Sequence, residues 1–240
     1  MGRLAALLLL VALLCPASVA AQRLPRTVVP EHYDLAITVD LVHASFEGTE
    51  HIRVHVGAPT TQIVLNAAGL TIQAASLGRG PSAQAADVAL DAVAETATFT
   101  VPRPVSGSTD IDLHYSARLN DDLRGFYISQ GELRTYAVTQ FESTDARRAF
   151  PCFDEPEYKA TFALRLTIAR RDVAISNGRV VSDTPGPGPD QHTVVFSTSP
   201  RMSSYLVAMA VGDFQCLEAV TDGIPLRVCA APDKKNLAHF

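Results

Sequence analysis

Polar and apolar residues alternate with a period of two along most of the chain beyond residue 30. In residues 32–41, the alternation places four apolar side chains on one face of a predicted strand, namely Tyr33, Leu35, Ile37 and Val39. Similar short runs recur about every ten residues with turn signals between them, at 46–56, 63–65, 70–74, 88–90, 97–101, 109–119, 161–168 and 192–197. This pattern predicts an all-β fold, a saddle-like β-sandwich of mixed, mostly antiparallel strands.

Four segments depart from this alternation. Residues 204–212 are nearly all apolar, which predicts a central strand buried on both faces. Residues 143–148 have helical character, and we expect one short helical segment of one or two turns there. Residues 184–190 are so rich in Pro and Gly that we expect an exposed loop which cannot pair in a sheet. The small residues at 78–86 indicate a second loop.

The first 21 residues have the order of parts of a signal peptide. Arg3 supplies a positive charge, and residues 4–14 form an apolar run that is too short to span a bilayer comfortably. Small residues at 18–20 suit a cleavage site. We therefore predict a signal peptide at 1–21 and a secreted or periplasmic protein.

Membrane attachment is not predicted for the mature chain. No second segment of about 20 apolar residues follows the signal peptide. A lipoprotein anchor at Cys15 is the alternative, and it is disfavoured because Leu14 is bulky where a small residue is usual.

Three cysteines follow the signal peptide, and export permits disulfides. The Asp-Gly pair at 222–223 predicts a two-residue hairpin turn, and counting back from it places Cys216 directly opposite Cys229. We predict a disulfide between them, with two free thiols on one face of the hairpin as the alternative. Cys152 stands between aromatic residues, which indicates a buried, inert thiol.

Composition and charge exclude few classes of protein. Of the 240 residues, 47% are hydrophobic and 19% are charged, as in a globular protein that can bury a core. The net charge of −5 and the absence of a basic run interleaved with aromatics argue against nucleic-acid binding. The chain has no Trp and no recognisable aromatic platform, so a carbohydrate-binding β-sandwich has little support.

A polar pair at the end of one predicted strand is the first candidate for chemistry. Gln140 and Glu142 are two residues apart, so on an extended segment both side chains point the same way, while Phe141 points into the core. A carboxylate held in this way suits a cation such as the ammonium group of a peptide N-terminus. An internal salt bridge is the alternative, and the sequence pattern leaves the two open.

Other charged residues follow closely, and for them an internal salt-bridge network that fixes an irregular loop is the favoured interpretation. They are Asp145, Arg147, Arg148, Asp154 and Glu155. His51 and His55 have the spacing of a zinc pair, but that motif requires a helix and a Glu directly after the first His. Alternating apolar residues place them on a strand instead, so we predict solvent-facing histidines and no metal site.

Several motifs together resemble the M1 family of zinc aminopeptidases, especially the puromycin-sensitive type. The segments that carry the resemblance are 30–35 (PEHYDL), 46–48 (FEG), 125–127 (GFY), 139–142 (TQFE), 145–156 (DARRAFPCFDEP), 159–162 (KATF), 176–177 (SN), 202–207 (MSSYLV) and 211–214 (VGDF). The resemblance implies a β-rich saddle packed against a thermolysin-like catalytic domain. It implies that Glu142 binds the free α-amino group of the substrate and that Gln140 lines the pocket for the first side chain.

The zinc motif H-E-x-x-H and the G-A-M-E-N segment of that family do not occur here. We therefore expect residues 22–231 to form the N-terminal β domain and 232–240 to begin a connection to a missing catalytic domain, which would hold the zinc. This chain alone should bind no zinc, contain no catalytic residue and be inactive. Its expected partners are a peptide with a free N-terminal amine and that catalytic domain. The alternative is a free-standing, non-catalytic β-rich module that binds peptides or proteins.

Overall fold

The computed structural model describes residues 23–131 and 134–234, so the predicted signal peptide and most of the predicted connection at 232–240 lie outside it. The strands and 3-10 helices (η) are, in order, β1 Val28–Asp40, β2 Ser45–Asn66, β3 Thr71–Leu77, η1 Gly80–Ser82, β4 Gln84–Ala85, β5 Asp87–Asp91, β6 Thr96–Arg118, β7 Gly125–Gln130, β8 Thr135–Gln140, η2 Ala146–Arg148, β9 Thr161–Ala169, β10 Val173–Ser176, β11 Val180–Pro185, β12 Gln191–Phe196, η3 Ser204–Leu206, β13 Met209–Gly212, β14 Gln215–Thr221 and β15 Ile224–Ala230. In the described ranges, no helix is long and apolar enough to cross a membrane.

The strands form three sheets. The largest has nine strands in the order β11-β12-β9-β1-β2-β6-β3-β4, with β5 paired to another part of the long strand β6. A second sheet has the order β10-β13-β8-β7, and β14 and β15 form a hairpin of their own. Only the β1–β9 pairing is parallel among these described strands. The predicted all-β fold with mixed, mostly antiparallel strands is confirmed.

The core lies on the inward face of the large sheet, where the alternating pattern of β1 buries its apolar side chains. Tyr33 of β1 stacks on Phe162 of β9, with ring centroids 4.7 Å apart. Phe150 meets both rings edge-on, and Phe141 packs against Phe150 in turn. Burying a large apolar side chain contributes about 1.5–3 kcal/mol, so this aromatic cluster anchors the loop that follows β8 to the large sheet.

The predicted strand at 204–212 is shorter than expected. The strand β13 begins only at Met209, and Ser204–Leu206 form a 3-10 turn instead. Hydroxyl groups explain the difference, because Ser203 donates to the carbonyl of Pro156 (2.7 Å) and Ser204 donates to Asp154 Oδ1 (2.7 Å). These bonds pull the segment away from an extended path. Where β13 does form, it is central in its sheet, between β10 and β8.

Two predicted loops contain paired residues. Pro185 belongs to β11 and pairs with His192, so the expectation that all of 184–190 is unpaired was wrong. The pairing is possible because β11 is an edge strand, where proline needs no ladder N–H. The segment at 78–86 includes η1 and the two-residue strand β4, which pairs with β3. The predicted helical segment at 143–148 is confirmed as a single 3-10 turn, η2.

The β14–β15 hairpin has the register expected from its turn, with Cys216 opposite Cys229. Asp222 and Gly223 both have positive φ (51° and 78°), as a two-residue hairpin turn of this kind requires. The two cysteines form a disulfide in the structure. Several aliphatic side chains of the hairpin are exposed, namely Val220, Ile224 and Leu226.

We expect this disulfide to be detectable by counting thiols. In the oxidised, denatured protein, alkylation should modify Cys152 and leave Cys216 and Cys229 unmodified, since only the Cys152 thiol is free among the described residues. After reduction, all three cysteines that follow residue 21 should react. If mass spectrometry finds Cys216 or Cys229 alkylated before reduction, the predicted disulfide is contradicted.

Glu50 is an exception to the apolar core. It lies on β2 opposite Leu35 and Leu113, its side chain is buried, and neither carboxylate oxygen has a hydrogen-bond partner among the described residues. Burial raises the pKa of the Glu50 carboxyl well above its ordinary value. The folded protein therefore favours the protonated form. The Glu50 carboxyl therefore contributes to the free energy of unfolding at pH values below the ordinary carboxyl pKa. This contribution is lost as the pH rises above that value.

Replacing Glu50 with Gln should raise the free energy of unfolding at pH 8 by about 1–3 kcal/mol, because the amide cannot ionise in the core. At pH 4 the wild-type carboxyl is protonated, so the difference should be small. Urea denaturation at both pH values measures the effect, with Glu31→Gln as an exposed control on β1. A Glu50→Gln protein less stable than wild type at pH 8 would contradict this account.

Candidate functional site

The segment that follows β8 presents two polar side chains to solvent. Gln140 ends β8, and both Gln140 and Glu142 are exposed, whereas Phe141 between them is buried against Phe150. The structure thus places the predicted pair as the alternation required. The peptide bond between Glu142 and Ser143 is cis. The Glu142 carboxylate makes no hydrogen bond or ion pair within 23–131 and 134–234.

The loop after Glu142 is held by a ladder of ion pairs. Asp145 Oδ1 accepts hydrogen bonds from Arg124 Nη2 (3.0 Å) and Arg148 Nε (2.8 Å). Partial burial raises the pKa of the Asp145 carboxyl, but the hydrogen bonds from the two arginines outweigh it and hold this pKa below its ordinary value. The Asp145 carboxylate therefore forms ion pairs that stabilise the loop.

Glu95 continues this ladder from a different part of the chain. It lies in the turn between β5 and β6 and accepts hydrogen bonds from Arg148 Nη2 (2.6 Å) and Arg147 Nη1 (3.3 Å). Arg147 Nε in turn donates to Asp154 Oδ2 (3.0 Å). We call the six residues Arg124, Asp145, Arg148, Glu95, Arg147 and Asp154 the ionic ladder.

The predicted salt-bridge network is therefore confirmed for most of its members, with one difference. Glu155 makes no ion pair among the described residues, and its Oε1 accepts a hydrogen bond from the backbone N–H of Leu24 (2.6 Å) instead. Glu95 and Arg124 were missed by the sequence reasoning. No local signal marks Glu95, because more than 50 residues separate it from its arginine partners.

Gly125 joins the ionic ladder to the strand that carries Gln140. It pairs directly with Gln140 across β7 and β8. Its φ is +68°, and a Cβ atom added there would lie 2.6 Å from Cβ of Arg148. Both the backbone conformation and the space therefore require glycine. As a result, η2 packs directly against the strand pair that presents the candidate site.

Comparison with known protein families gives a match that covers the candidate site. A family model described as the Peptidase M1 N-terminal domain matches residues 29–206, which include the ionic ladder, Gln140 and Glu142. The chain belongs to the M1 peptidase family.

Several curated M1 relatives are similar to the chain over most of its length. It is 42% identical over 88% of its length to Aminopeptidase N of Acetobacter pasteurianus and 38% identical over 93% to Puromycin-sensitive aminopeptidase of Caenorhabditis elegans. It is 37% identical over 91% to Endoplasmic reticulum aminopeptidase 1 of Homo sapiens. The chain spans 60% of the first of these relatives and 25% and 24% of the other two.

The described part of this M1 domain offers no metal centre. It contains no group of three or more His, Cys, Asp or Glu residues that could hold a metal ion. His51 and His55 both lie on β2, as predicted, and His51 Nδ1 is 2.7 Å from Asp112 Oδ1. Zinc, which the family resemblance implies, therefore does not fit the residues described here.

Cys152 is also unsuited to chemistry. Its side chain is buried, and burial raises the pKa of its thiol well above the ordinary value. A thiol in this state carries almost no nucleophilic thiolate at neutral pH. The predicted buried, inert thiol agrees with this position.

Replacing Glu95 with Gln should destabilise the domain by about 1–3 kcal/mol, because two arginines lose their charged partner and the Arg147 side chain is only 12% exposed. Urea denaturation measures the effect.

The matched control is Glu157→Gln, since the pair of Glu157 with Arg26 is exposed (43% and 72%). Removing a surface pair of this kind changes stability by at most about 1 kcal/mol. Equal effects of the two substitutions would show that the ionic ladder does not stabilise the loop.

Proposed function

We propose that this chain is the substrate-recognition domain of an exported M1 zinc aminopeptidase, in which Glu142 binds the free α-ammonium group of a peptide. One observation carries this proposal. Residues 139–156 contain four carboxylates, and three of them are engaged internally, namely Asp145, Asp154 and Glu155. Glu142 alone projects into solvent without a partner, on a segment that the aromatic cluster and the ionic ladder hold in place.

The energetics suit selection for an N-terminal residue. A hydrogen bond between a carboxylate and an ammonium group contributes roughly 1.5–3 kcal/mol net, which is about 10- to 100-fold in affinity. An acylated N-terminus has no positive charge and would leave the carboxylate desolvated and unpaired. Gln140, on the same face, lines the pocket for the first side chain of the substrate.

The remaining parts of the active site belong to the catalytic domain that this proposal requires. That domain would hold the zinc ion, and the metal would supply the activation of water for peptide hydrolysis. The aminopeptidases similar to this chain include proteins about four times its matched length, which supports a larger enzyme. The charged start, apolar run and small residues at 1–21 support export.

Glu142→Gln should abolish the preference for a free amine. In NMR titrations of the mature chain, leucinamide should bind the wild type about 10- to 100-fold more tightly than the variant. N-acetyl-leucinamide should bind both proteins equally weakly. In the enzyme that includes the catalytic domain, Glu142→Ala should cost about 2–5 kcal/mol in kcat/KM.

The control for net charge is Glu31→Gln, which removes the same charge from an exposed position on β1. This variant should bind leucinamide as the wild type does. Equal affinity of the wild type and Glu142→Gln for leucinamide, or unchanged kinetics in the enzyme, would refute the assignment of Glu142.

A free-standing binding module is the second candidate, and the exposed aliphatic residues of the β14–β15 hairpin bear on it. A recognition domain should expose an apolar surface where the catalytic domain docks, and it should self-associate when that domain is absent. A free-standing module should be monomeric by itself. Size-exclusion chromatography of the mature chain separates the two.

A further inference from the structure

Strand β8 is held differently along its two edges near its end. On the β7 side, backbone pairing continues to the last residue, Gln140. On the β13 side, the described pairing stops at Val138, opposite Ala210. The end of β8, just before Glu142, therefore has no backbone partner on the β13 side.

The side chain of Thr139 takes the place of the missing backbone pair. Its Oγ1 accepts a hydrogen bond from the backbone N–H of Met209 (2.9 Å) and donates one to the backbone carbonyl of Met209 (3.3 Å). One hydroxyl group thus satisfies both polar backbone groups of Met209 on this edge. We propose that Thr139 is a positioning residue that fixes the direction in which Gln140 and Glu142 project, an inference that rests on the function proposed above.

The segment that Thr139 contacts is itself held from the opposite side. Asn177 Nδ2 donates to the carbonyl of Leu206 (2.8 Å), and its Oδ1 accepts a hydrogen bond from the N–H of Ala208 (2.8 Å). Ser176 Oγ donates to the carbonyl of Ala208 (2.8 Å). Residues 206–209 therefore form a fixed support, and Thr139 transmits this support to β8.

A positioning role follows from where Thr139 lies in the chain. Phe141, two residues later, is locked in the aromatic core, so the direction of the intervening backbone is determined at both ends. Loss of the hydroxyl would remove the support on the β13 side and leave this end of β8 held by β7 alone. The carboxylate of Glu142 would then sample more directions, and ordering it again would cost affinity for the amine.

The test compares Thr139→Val, which keeps the shape but loses the hydroxyl, with Thr139→Ser, which keeps the hydroxyl. In hydrogen-exchange NMR of the mature chain, Thr139→Val should speed exchange of the Met209 amide by about 2- to 12-fold, the effect of one lost hydrogen bond. It should also speed exchange in 140–142 and weaken leucinamide binding by a similar factor. Thr139→Ser should restore all three values to near those of the wild type.

The matched control is Thr167→Val, which removes the hydroxyl contact with Thr193 (2.8 Å) between β9 and β12. It should leave exchange at Met209 and at 140–142 unchanged. Unchanged exchange at 140–142 in Thr139→Val, or an equal change in Thr167→Val, would overturn the positioning role. If the wild type does not bind leucinamide while the exchange differences persist, the positioning role stands and the proposed amine site fails.

Discussion

The candidate site depends on the burial of one carboxylate, that of Asp154. Its side chain is completely inaccessible to solvent, and transferring an ion into a protein interior costs several kcal/mol unless partners compensate for it. The compensation comes from Arg147, through both its guanidinium and its backbone N–H, and from the hydroxyl of Ser204. The backbone N–H of Asp154 also donates to Asn66 Oδ1 of β2. Through its carboxylate and its backbone N–H, Asp154 therefore joins the large sheet, the loop after β8 and the segment before β13.

The ionic ladder carries this constraint outward to the surface. Asp154 is buried, Arg147 and Asp145 are nearly so, and Arg124 at the other end is more than half exposed. Each interior member contacts a group of opposite charge on both sides, so no buried charge is left unpaired along it. A network anchored at a buried end loses less to solvent screening than isolated surface pairs do. The loop between Glu142 and Asp154 can be ordered in this way although it contains only one short turn of helix.

Local periodicity predicted most strands of the large sheet and the direction of Gln140 and Glu142, because side-chain direction in a strand depends only on sequence neighbours. It did not predict β7, β10 or β11. It failed where a distant partner decides the local structure. Ser204 leaves the extended path because its hydroxyl bonds a carboxylate 50 residues earlier, and Glu95 finds its arginines only after the sheets pack. Pro185 pairs because β11 happens to be an edge strand, which sequence order does not reveal. The motif 145–156 predicted that a charged network exists, but its partners depend on tertiary contacts.

The balance of charge gives Glu142 its particular character. The ionic ladder contains three arginines and three carboxylates, so its formal charges cancel, and Glu142 adds a negative charge that nothing in the described loop neutralises. A flexible carboxylate would lose conformational entropy on binding a cation, but the segment around Glu142 is ordered before any ligand arrives. Phe141 and Thr139 supply that order through a buried ring and a shared hydroxyl, and neither of them consumes the charge of the carboxylate. The structure thus holds the backbone on both sides of Gln140 and leaves the carboxylate of Glu142 unpaired, which suits the proposed recognition of an ammonium group.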